Sequence, residues 1–160
     1  MMAADHEELD RMRSALESAG RRSTRQREEI YFALLRADDH PTAEQVFETA
    51  RESIPNLSLA TVYNALEALV EGGLVMKLPA LEGSARYDAR PDGHYHLRCL
   101  RSGAVVDLPT PYVPDLIESL DPGLVDRLGR QGFRVTGYRL EVVGYYEPCQ
   151  ESLNGEDPED

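Results

Sequence analysis

The sequence predicts an α+β fold in two parts, a helical first half that ends in a two-stranded ribbon and a small α/β second half. In the first half, apolar residues recur at spacings of three and four, which is the period of amphipathic helices. In the second half, apolar and polar residues alternate, as they do in strands. A chain of 160 residues is long enough to bury a core as one domain or as two small ones.

Four helical segments are predicted in the first half, and three of them begin at a capping signal. Ser23 with Gln26 and Thr42 with Gln45 have the spacing of capping boxes, which predicts the starts of the second and third segments. Ser58 is the expected N-cap of the fourth segment. A pair of glycines ends that segment, because glycine favours helix termination.

Two short strands are predicted after these helices, "LVMKL" at 74–78 and "ARYDA" at 85–89. The last three of these helices, followed by a two-stranded ribbon, have the layout of a winged helix. In that DNA-binding domain the third helix, here the fourth segment at 59–71, is the recognition helix that enters the major groove, and the ribbon contacts the flanking backbone. The pattern therefore favours a DNA-binding first half.

The second half is predicted to form a small α/β unit. "YHLRCL" at 95–100 and "AVVDLP" at 104–109 have the pattern of a hairpin. Two helical segments separated at 122–123 follow, and a last strand is predicted within 133–148. The open edges of such a sheet can pair with a second copy, which favours a homodimer.

We divide the chain into four regions on these patterns. They are a winged-helix DNA-binding domain at 1–86, a hinge at 87–93, an α/β dimerisation domain at 94–150 and an acidic, disordered tail at 151–160. The net charge of -12 excludes a generic basic nucleic-acid binder, so DNA binding would depend on local cationic patches. The chain has neither an apolar run near membrane-span length nor a signal-peptide pattern, and we expect a cytoplasmic protein without membrane contact.

Histidines and aspartates make the strongest chemical signal in the sequence. His94 and His96 lie two residues apart, so on a strand both point to the same face. A hairpin would bring Asp107 opposite His96. The full set of candidate metal ligands is His40, Asp88, His94, His96 and Asp107. Nitrogen and oxygen donors of this kind suit Fe(II), Mn(II) or Zn(II).

A series of motifs runs in one order along most of the chain. These motifs are "HPTAEQVF", "LATVYNALEALVEGGLV", "RYD", "HYHLRC", "AVVDLP" and "GYRLEVVGYYEPC". In combination they resemble the ferric uptake regulator family from about Gly20 to Cys149. The resemblance implies a homodimeric, metal-sensing winged-helix transcription factor that binds palindromic operator DNA and is not an enzyme.

The resemblance also implies a regulatory metal site. The family's His-Pro-Thr histidine matches His40, and its hinge ligand matches Asp88. The family's His-x-His pair matches His94 and His96, and the acid at the end of the next strand matches Asp107. All five ligand positions are therefore filled, and the resemblance implies Fe(II) or Mn(II) there, with Zn(II) as a further option.

The structural zinc site of the family, in contrast, is not preserved. That site uses two Cys-x-x-Cys pairs, and here Ser102 replaces the partner of Cys99 while Tyr146 replaces the partner of Cys149. We therefore expect no structural zinc. Some members carry a further site that uses a histidine in the last strand, and Tyr138 occupies that position.

Two features resemble the peroxide-stress branch of the family. Aspartate stands at both carboxylate positions, Asp88 and Asp107, where iron-uptake members tend to have glutamate. Asn64 stands where many other members place arginine. In the peroxide-stress branch, metal-catalysed oxidation of histidines is the sensing event, and the matching residues are His40 and His94.

Four residues are the candidate DNA contacts. Tyr63 matches a base-contacting tyrosine of the family, and Asn64 has the chemistry to contact adenine. Thr61 and Arg25 fit phosphate or groove contacts.

Three other functions remain open on sequence alone. An iron, manganese or zinc homeostasis regulator would have the same fold and differ in its activating metal. A non-haem metalloenzyme could also use a His-x-His pair with an acid, although the helical first half disfavours a cupin. A metal-storage or partner-binding protein that has lost DNA binding would fail a gel shift with promoter DNA.

Overall fold

The structure is a computed structural model that describes residues 2–37, 39–80, 83–90 and 92–146. The predicted tail at 151–160 and Cys149 lie outside the described residues. The chain forms two compact units. The first comprises the described residues of Met1–Asp92 with Gly103–Val105, and the second comprises those of Gly93–Ser102 and Val106–Asp160.

The first unit contains four helices and an antiparallel ribbon. The elements are α1 (Met2–Ser18), α2 (Arg25–Leu35), α3 (Ala43–Ala50), α4 (Leu59–Glu71), β1 (Met76–Leu78) and β2 (Arg86–Asp88). Strands β1 and β2 pair with Lys77 opposite Tyr87. This is the predicted order of helices followed by a ribbon, and the α+β fold class is confirmed.

Local capping explains where the helices begin. The predicted capping box of α3 is confirmed, since the Thr42 side chain accepts from the Gln45 N–H and the Gln45 side chain accepts from the Thr42 N–H. Ser58 caps α4 as predicted. The predicted box at Ser23 is wrong by one residue, because Thr24 caps α2. The Ser23 hydroxyl instead donates to Glu28 at 2.8 Å.

A single apolar core holds the first unit together. The core includes Ile30 and Tyr31 of α2, Leu66 and Leu69 of α4, and Tyr87 of β2, all at most 1% exposed. Burial of large side chains from several elements removes much apolar surface from water, at about 25 cal/mol per Å². The core therefore fixes the helices and the ribbon as one body.

The second unit is a three-stranded sheet with two short helices. Its elements are β3 (His96–Cys99), β4 (Val105–Asp107), α5 (Leu116–Leu120), α6 (Leu124–Arg130) and β5 (Glu141–Gly144). The strand order is β4-β3-β5, and β5 pairs parallel to β3. The predicted hairpin and the helix break at 122–123 are confirmed. The last strand is shorter than predicted, because 133–140 are described without strand pairing.

An ion pair joins the neighbouring strands β3 and β5 of the second sheet. Arg98 on β3 is buried, and its guanidinium makes two hydrogen bonds at 3.0 and 2.9 Å with the carboxylate of Glu141 on β5. A buried cation needs such a partner, because an unpaired charge in a protein interior is costly.

Within the described residues, every helix is too short or too polar to cross a membrane.

Candidate metal centre and nucleic-acid interface

The first unit contains two of the predicted metal ligands, and both are buried. The Nδ1 atom of His40 lies 3.8 Å from the Oδ1 atom of Asp88, with the two residues 5% and 1% exposed. Asp88 Oδ1 also accepts a hydrogen bond from the Arg90 N–H at 2.8 Å. Because that bond closes a turn two residues long, the Asp88 carboxylate is held in one orientation.

The backbone around His40 is fixed by three hydrogen bonds. Its N–H donates to the Val105 carbonyl at 3.3 Å, and its carbonyl accepts from the Arg86 guanidinium at 2.8 Å. The next carbonyl, that of Pro41, accepts from the Tyr87 N–H at 2.9 Å. Together these bonds hold the loop before α3 against β2, so the backbone position of His40 is fixed.

The second unit contains the other three predicted ligands as one cluster. The Nε2 atoms of His94 and His96 lie 3.1 Å apart, with the rings at 76° to each other. Asp107 Oδ1 lies 3.4 Å from His94 Nε2. Two nitrogens bound to one ion at about 2.1 Å each would be about 3.0–3.4 Å apart, for angles between about 90° and the tetrahedral value. The His94–His96 spacing therefore suits adjacent ligands of one metal ion.

Three tyrosines, Tyr95, Tyr112 and Tyr138, pack together beside the start of β3. Tyr95 lies between the two histidines in sequence, and its hydroxyl accepts the Val113 N–H at 2.9 Å. Tyr95 and Tyr138 hydroxyls are 3.1 Å apart, and the Tyr138 ring stacks on Tyr112. Tyr138, at the family's histidine position, is thus engaged in this tyrosine cluster. At Gly93 a side chain would meet the Tyr112 ring at 2.6 Å.

The Cys99 thiol is surrounded by hydrogen-bond donors. The thiol is buried, and a hydrogen bond from the Ser102 hydroxyl lowers its pKa to about 7, with further backbone hydrogen bonds from Ser102, Arg101 and Tyr146. The thiolate is therefore populated near neutral pH. Serine and tyrosine side chains are poor zinc ligands compared with thiolates, so these residues do not make a tetrathiolate site.

The candidate DNA contacts occupy α4 and the start of α2. Tyr63 is 37% exposed, and Asn64 beside it is exposed as well. Thr61 is half-buried, and its hydroxyl lies 2.8 Å from the hydroxyl of the capping Ser58. Arg25 is exposed at the first position of α2. Tyr63, Asn64 and Arg25 are thus accessible, while Thr61 serves the helix start.

Sequence reasoning missed one residue beside these contacts, Glu44. The Tyr63 hydroxyl donates to Glu44 Oε1 at 2.7 Å. This bond raises the pKa of Tyr63 and lowers the pKa of Glu44. The sequence marks Glu44 only as an acid in the first turn of α3, and its favourable interaction with the helix dipole explains that placement equally well.

This chain is similar in sequence to known transcriptional regulators. A sequence profile described as "Ferric uptake regulator family" matches residues 18–143. The chain is 35% identical to the "Peroxide-responsive repressor PerR" of Staphylococcus epidermidis (strain ATCC 12228 / FDA PCI 1200) over 150 residues, which covers 94% of this chain and 95% of the relative. The matched family and relatives are transcriptional regulators and not enzymes.

Two solved structures are similar as well. The ferric uptake regulator of Helicobacter pylori, described with three functional metal binding sites, superimposes with a TM-score of 0.70 at 22% identity. That match covers 93% of this chain and 95% of the other. The peroxide stress regulator of Campylobacter jejuni gives a TM-score of 0.58 at 25% identity, covering 79% of this chain and 88% of the other.

Proposed function

Because this chain belongs to the ferric uptake regulator family, we propose that it is a metal-activated homodimeric repressor that binds palindromic operator DNA and senses hydrogen peroxide. The observation that carries the proposal is the division of the ligands. A buried His–Asp pair lies in the DNA-binding unit, and a His–His–Asp cluster lies in the other unit. Such a repressor works in the cytoplasm, where its DNA is.

The donor set supports Fe(II) or Mn(II) as the regulatory ion. All five candidate ligands offer imidazole nitrogen or carboxylate oxygen, and none offers sulfur. These are donors that Fe(II) and Mn(II) share with Zn(II), whereas soft metals prefer thiolates. In this proposal His40, Asp88, His94, His96 and Asp107 together hold one ion.

Shared ligands would couple metal binding to DNA binding. With His40 and Asp88 contributed by one unit and the remaining ligands by the other, metal binding favours a single arrangement of the units. Only that arrangement would place two recognition helices on the half-sites of a palindrome. Thermodynamic linkage then requires operator DNA to tighten metal binding by the same factor.

Peroxide sensing would follow from oxidation of a ligand. His40, Asp88, His94, His96 and Asp107 would hold the ion, and ferrous iron there would supply the reducing electron that hydrogen peroxide needs to become an oxidant. His40 and His94 are the proposed targets, as the resemblance to the peroxide-stress branch implies. An imidazole that gains an oxygen atom is a weaker ligand, so the two units lose their shared connection and the operator is released.

Mass spectrometry of the iron-loaded dimer after brief peroxide exposure tests this function. We expect an addition of about 16 daltons, one oxygen atom, on a peptide that contains His40 or His94, together with loss of operator binding. The manganese-loaded protein is the matched control and should keep both its mass and its operator.

Variants separate this mechanism from thiol sensing. Cys99→Ser combined with Cys149→Ser should still respond to peroxide, whereas Asp107→Glu should respond much less. A double cysteine variant that is blind to peroxide, with unmodified histidines, would establish the thiols as the sensor. A protein that releases DNA on metal removal but never on peroxide exposure would instead be a metal-homeostasis regulator.

A further inference from the structure

The exposed tyrosine of α4 is tied to a neighbouring helix by one carboxylate. Glu44, in the first turn of α3, accepts the Tyr63 hydroxyl at 2.7 Å. The same Oε1 atom lies 3.4 Å from the Ser84 hydroxyl in the segment between β1 and β2. One surface acid therefore contacts both the predicted recognition helix and the segment that joins the two strands of the ribbon.

This bond restricts what Tyr63 can offer to DNA. Its only proton is directed to the Glu44 carboxylate, so the phenol is left with its ring surface and an acceptor lone pair. A ring held in one place can meet a thymine methyl group, and the lone pair can accept from an exocyclic amine. A freely rotating phenol could also donate to phosphate oxygens of any sequence.

We propose that Glu44 is a positioning residue for operator recognition, which holds Tyr63 in its base-reading orientation before DNA arrives. The inference rests on the proposed DNA-binding function. Holding the side chain beforehand removes part of the ordering cost of binding. The same carboxylate places a negative charge beside the DNA-facing surface, which disfavours close approach of phosphates at incorrect sites.

Two substitutions at Glu44 separate its hydrogen bond from its charge. Glu44→Ala removes both, and operator affinity should fall about 3- to 10-fold, the range for ordering one side chain on binding. Glu44→Gln keeps an acceptor for the Tyr63 hydroxyl, so it should retain most operator affinity while binding non-operator duplex more tightly. Glu48→Gln is the matched control, because Glu48 lies one turn later on α3 and pairs with Arg51.

The phenol itself provides a readout that a general loss of stability would not change. The ionisation of Tyr63 is followed by ultraviolet absorbance at high pH, as the difference between each protein and its Tyr63→Phe counterpart. The pKa of Tyr63 is raised chiefly by its bond to Glu44, with Tyr87 and Lys77 as the other titratable neighbours. It should fall toward its ordinary value in Glu44→Ala, fall less in Glu44→Gln because the amide still accepts from the hydroxyl, and remain raised in Glu48→Gln.

Operator binding by Tyr63→Ala distinguishes a failure of the Glu44 positioning role from a failure of the proposed DNA contact. If Tyr63→Ala loses operator specificity while Glu44→Ala keeps wild-type affinity and specificity, the positioning role is overturned and the DNA-binding function stands. If Tyr63→Ala itself binds operator normally, the assignment of Tyr63 fails and the role of Glu44 fails with it. Non-additive losses in the Glu44→Ala, Tyr63→Phe cycle would support direct coupling of the pair.

Discussion

The two units of the molecule differ in how much of their apolar surface they bury alone. In the first unit, all four helices and the ribbon contribute to one core that runs from Met12 to Ala89. In the described part of the second unit, only Tyr95, Arg98 and Cys99 are buried in the single chain. Exposed there instead are Leu120, Phe133, Val142, Val143 and Tyr145.

This contrast favours association of the second unit with a partner that covers its exposed apolar side chains. Val142 and Val143 lie on β5, which forms one edge of the sheet and is free to extend it by pairing with another strand. Exposed apolar side chains on an open edge strand are typical of an association site. In the proposed homodimer a second copy covers it, so the second unit would gain its stability from the partner and the first from its own core.

The largest expected effect comes from the core of the first unit. Leu69→Ala should lower the free energy of unfolding by about 2–5 kcal/mol, because it leaves a cavity among fully buried side chains. Chemical denaturation followed by circular dichroism measures it. Leu120→Ala, in the second unit and 75% exposed, should change the stability of the dissociated chain by less than about 0.5 kcal/mol. A larger loss that is present only at concentrations where the protein is dimeric would mean that the partner covers Leu120.

The second prediction tests the exposed edge strand. Val143→Asp should weaken dimerisation about 100-fold, or about 2.7 kcal/mol, because it buries an unpaired charge in each half of the interface. Analytical ultracentrifugation across a concentration series measures the change. Thr49→Asp adds the same charge to an exposed position of α3 and should leave the dimer intact. A Val143→Asp protein that stays fully dimeric would place the interface elsewhere.

The third prediction concerns recognition by the first unit. Tyr63→Ala should lose about 1–3 kcal/mol of discrimination between operator and other DNA, the range for one good base contact. Arg25→Ala should weaken binding to all sequences alike and reduce the salt dependence, as loss of a phosphate contact does. Fluorescence anisotropy at several salt concentrations measures both. Wild-type specificity in both variants would refute the assignment of the recognition helix.

A smaller effect is expected from the thiol of the second unit. The fold lowers the pKa of Cys99 from 9.0 to about 7, so the thiolate form is favoured in the native state. The stabilisation that this lowered pKa gives the native state is complete above about pH 9 and is lost as the pH falls through 7. The stability difference between the wild type and Cys99→Ser should therefore grow from pH 6 to pH 9. A constant difference, measured by denaturation at each pH, would contradict the shift.

The smallest effect is predicted for zinc removal. Mild chelation should leave zinc well below one atom per chain by elemental analysis, with helicity and dimerisation unchanged, because Ser102 and Tyr146 replace two of the four thiolates. Loss of the fold on chelation alone would show that the second unit depends on a metal after all.

Features that depend on neighbouring residues could be predicted from the sequence. The capping box at Thr42 and Gln45 needs only three residues of spacing, and the His94–His96 pair needs only the period of a strand. The cap of α2 was missed because Ser23 and Thr24 have similar chemistry, and which of them caps depends on the competing contact of Ser23 with Glu28.

Features that depend on packing between distant segments could not be predicted in this way. The Tyr63–Glu44 bond joins two helices and needs their relative placement, which no local pattern gives. The same holds for the hydrogen bonds of Arg86 to the carbonyls of His40 and Gly103. Spacing supported the histidine pair and its hairpin aspartate, whereas resemblance to a family was needed to assign His40 and Asp88 to the same site.

The parallel pairing of β3 with β5 has a consequence for how the chain folds. His96 pairs with Glu141 across an intervening loop that includes both short helices, so this sheet must close a long loop before its contacts form. The helices of the first unit make mostly shorter-range contacts, and contacts between distant segments slow folding. During synthesis the first unit can therefore fold while β5 is still inside the ribosome, and the second unit completes its sheet only after its last strand emerges.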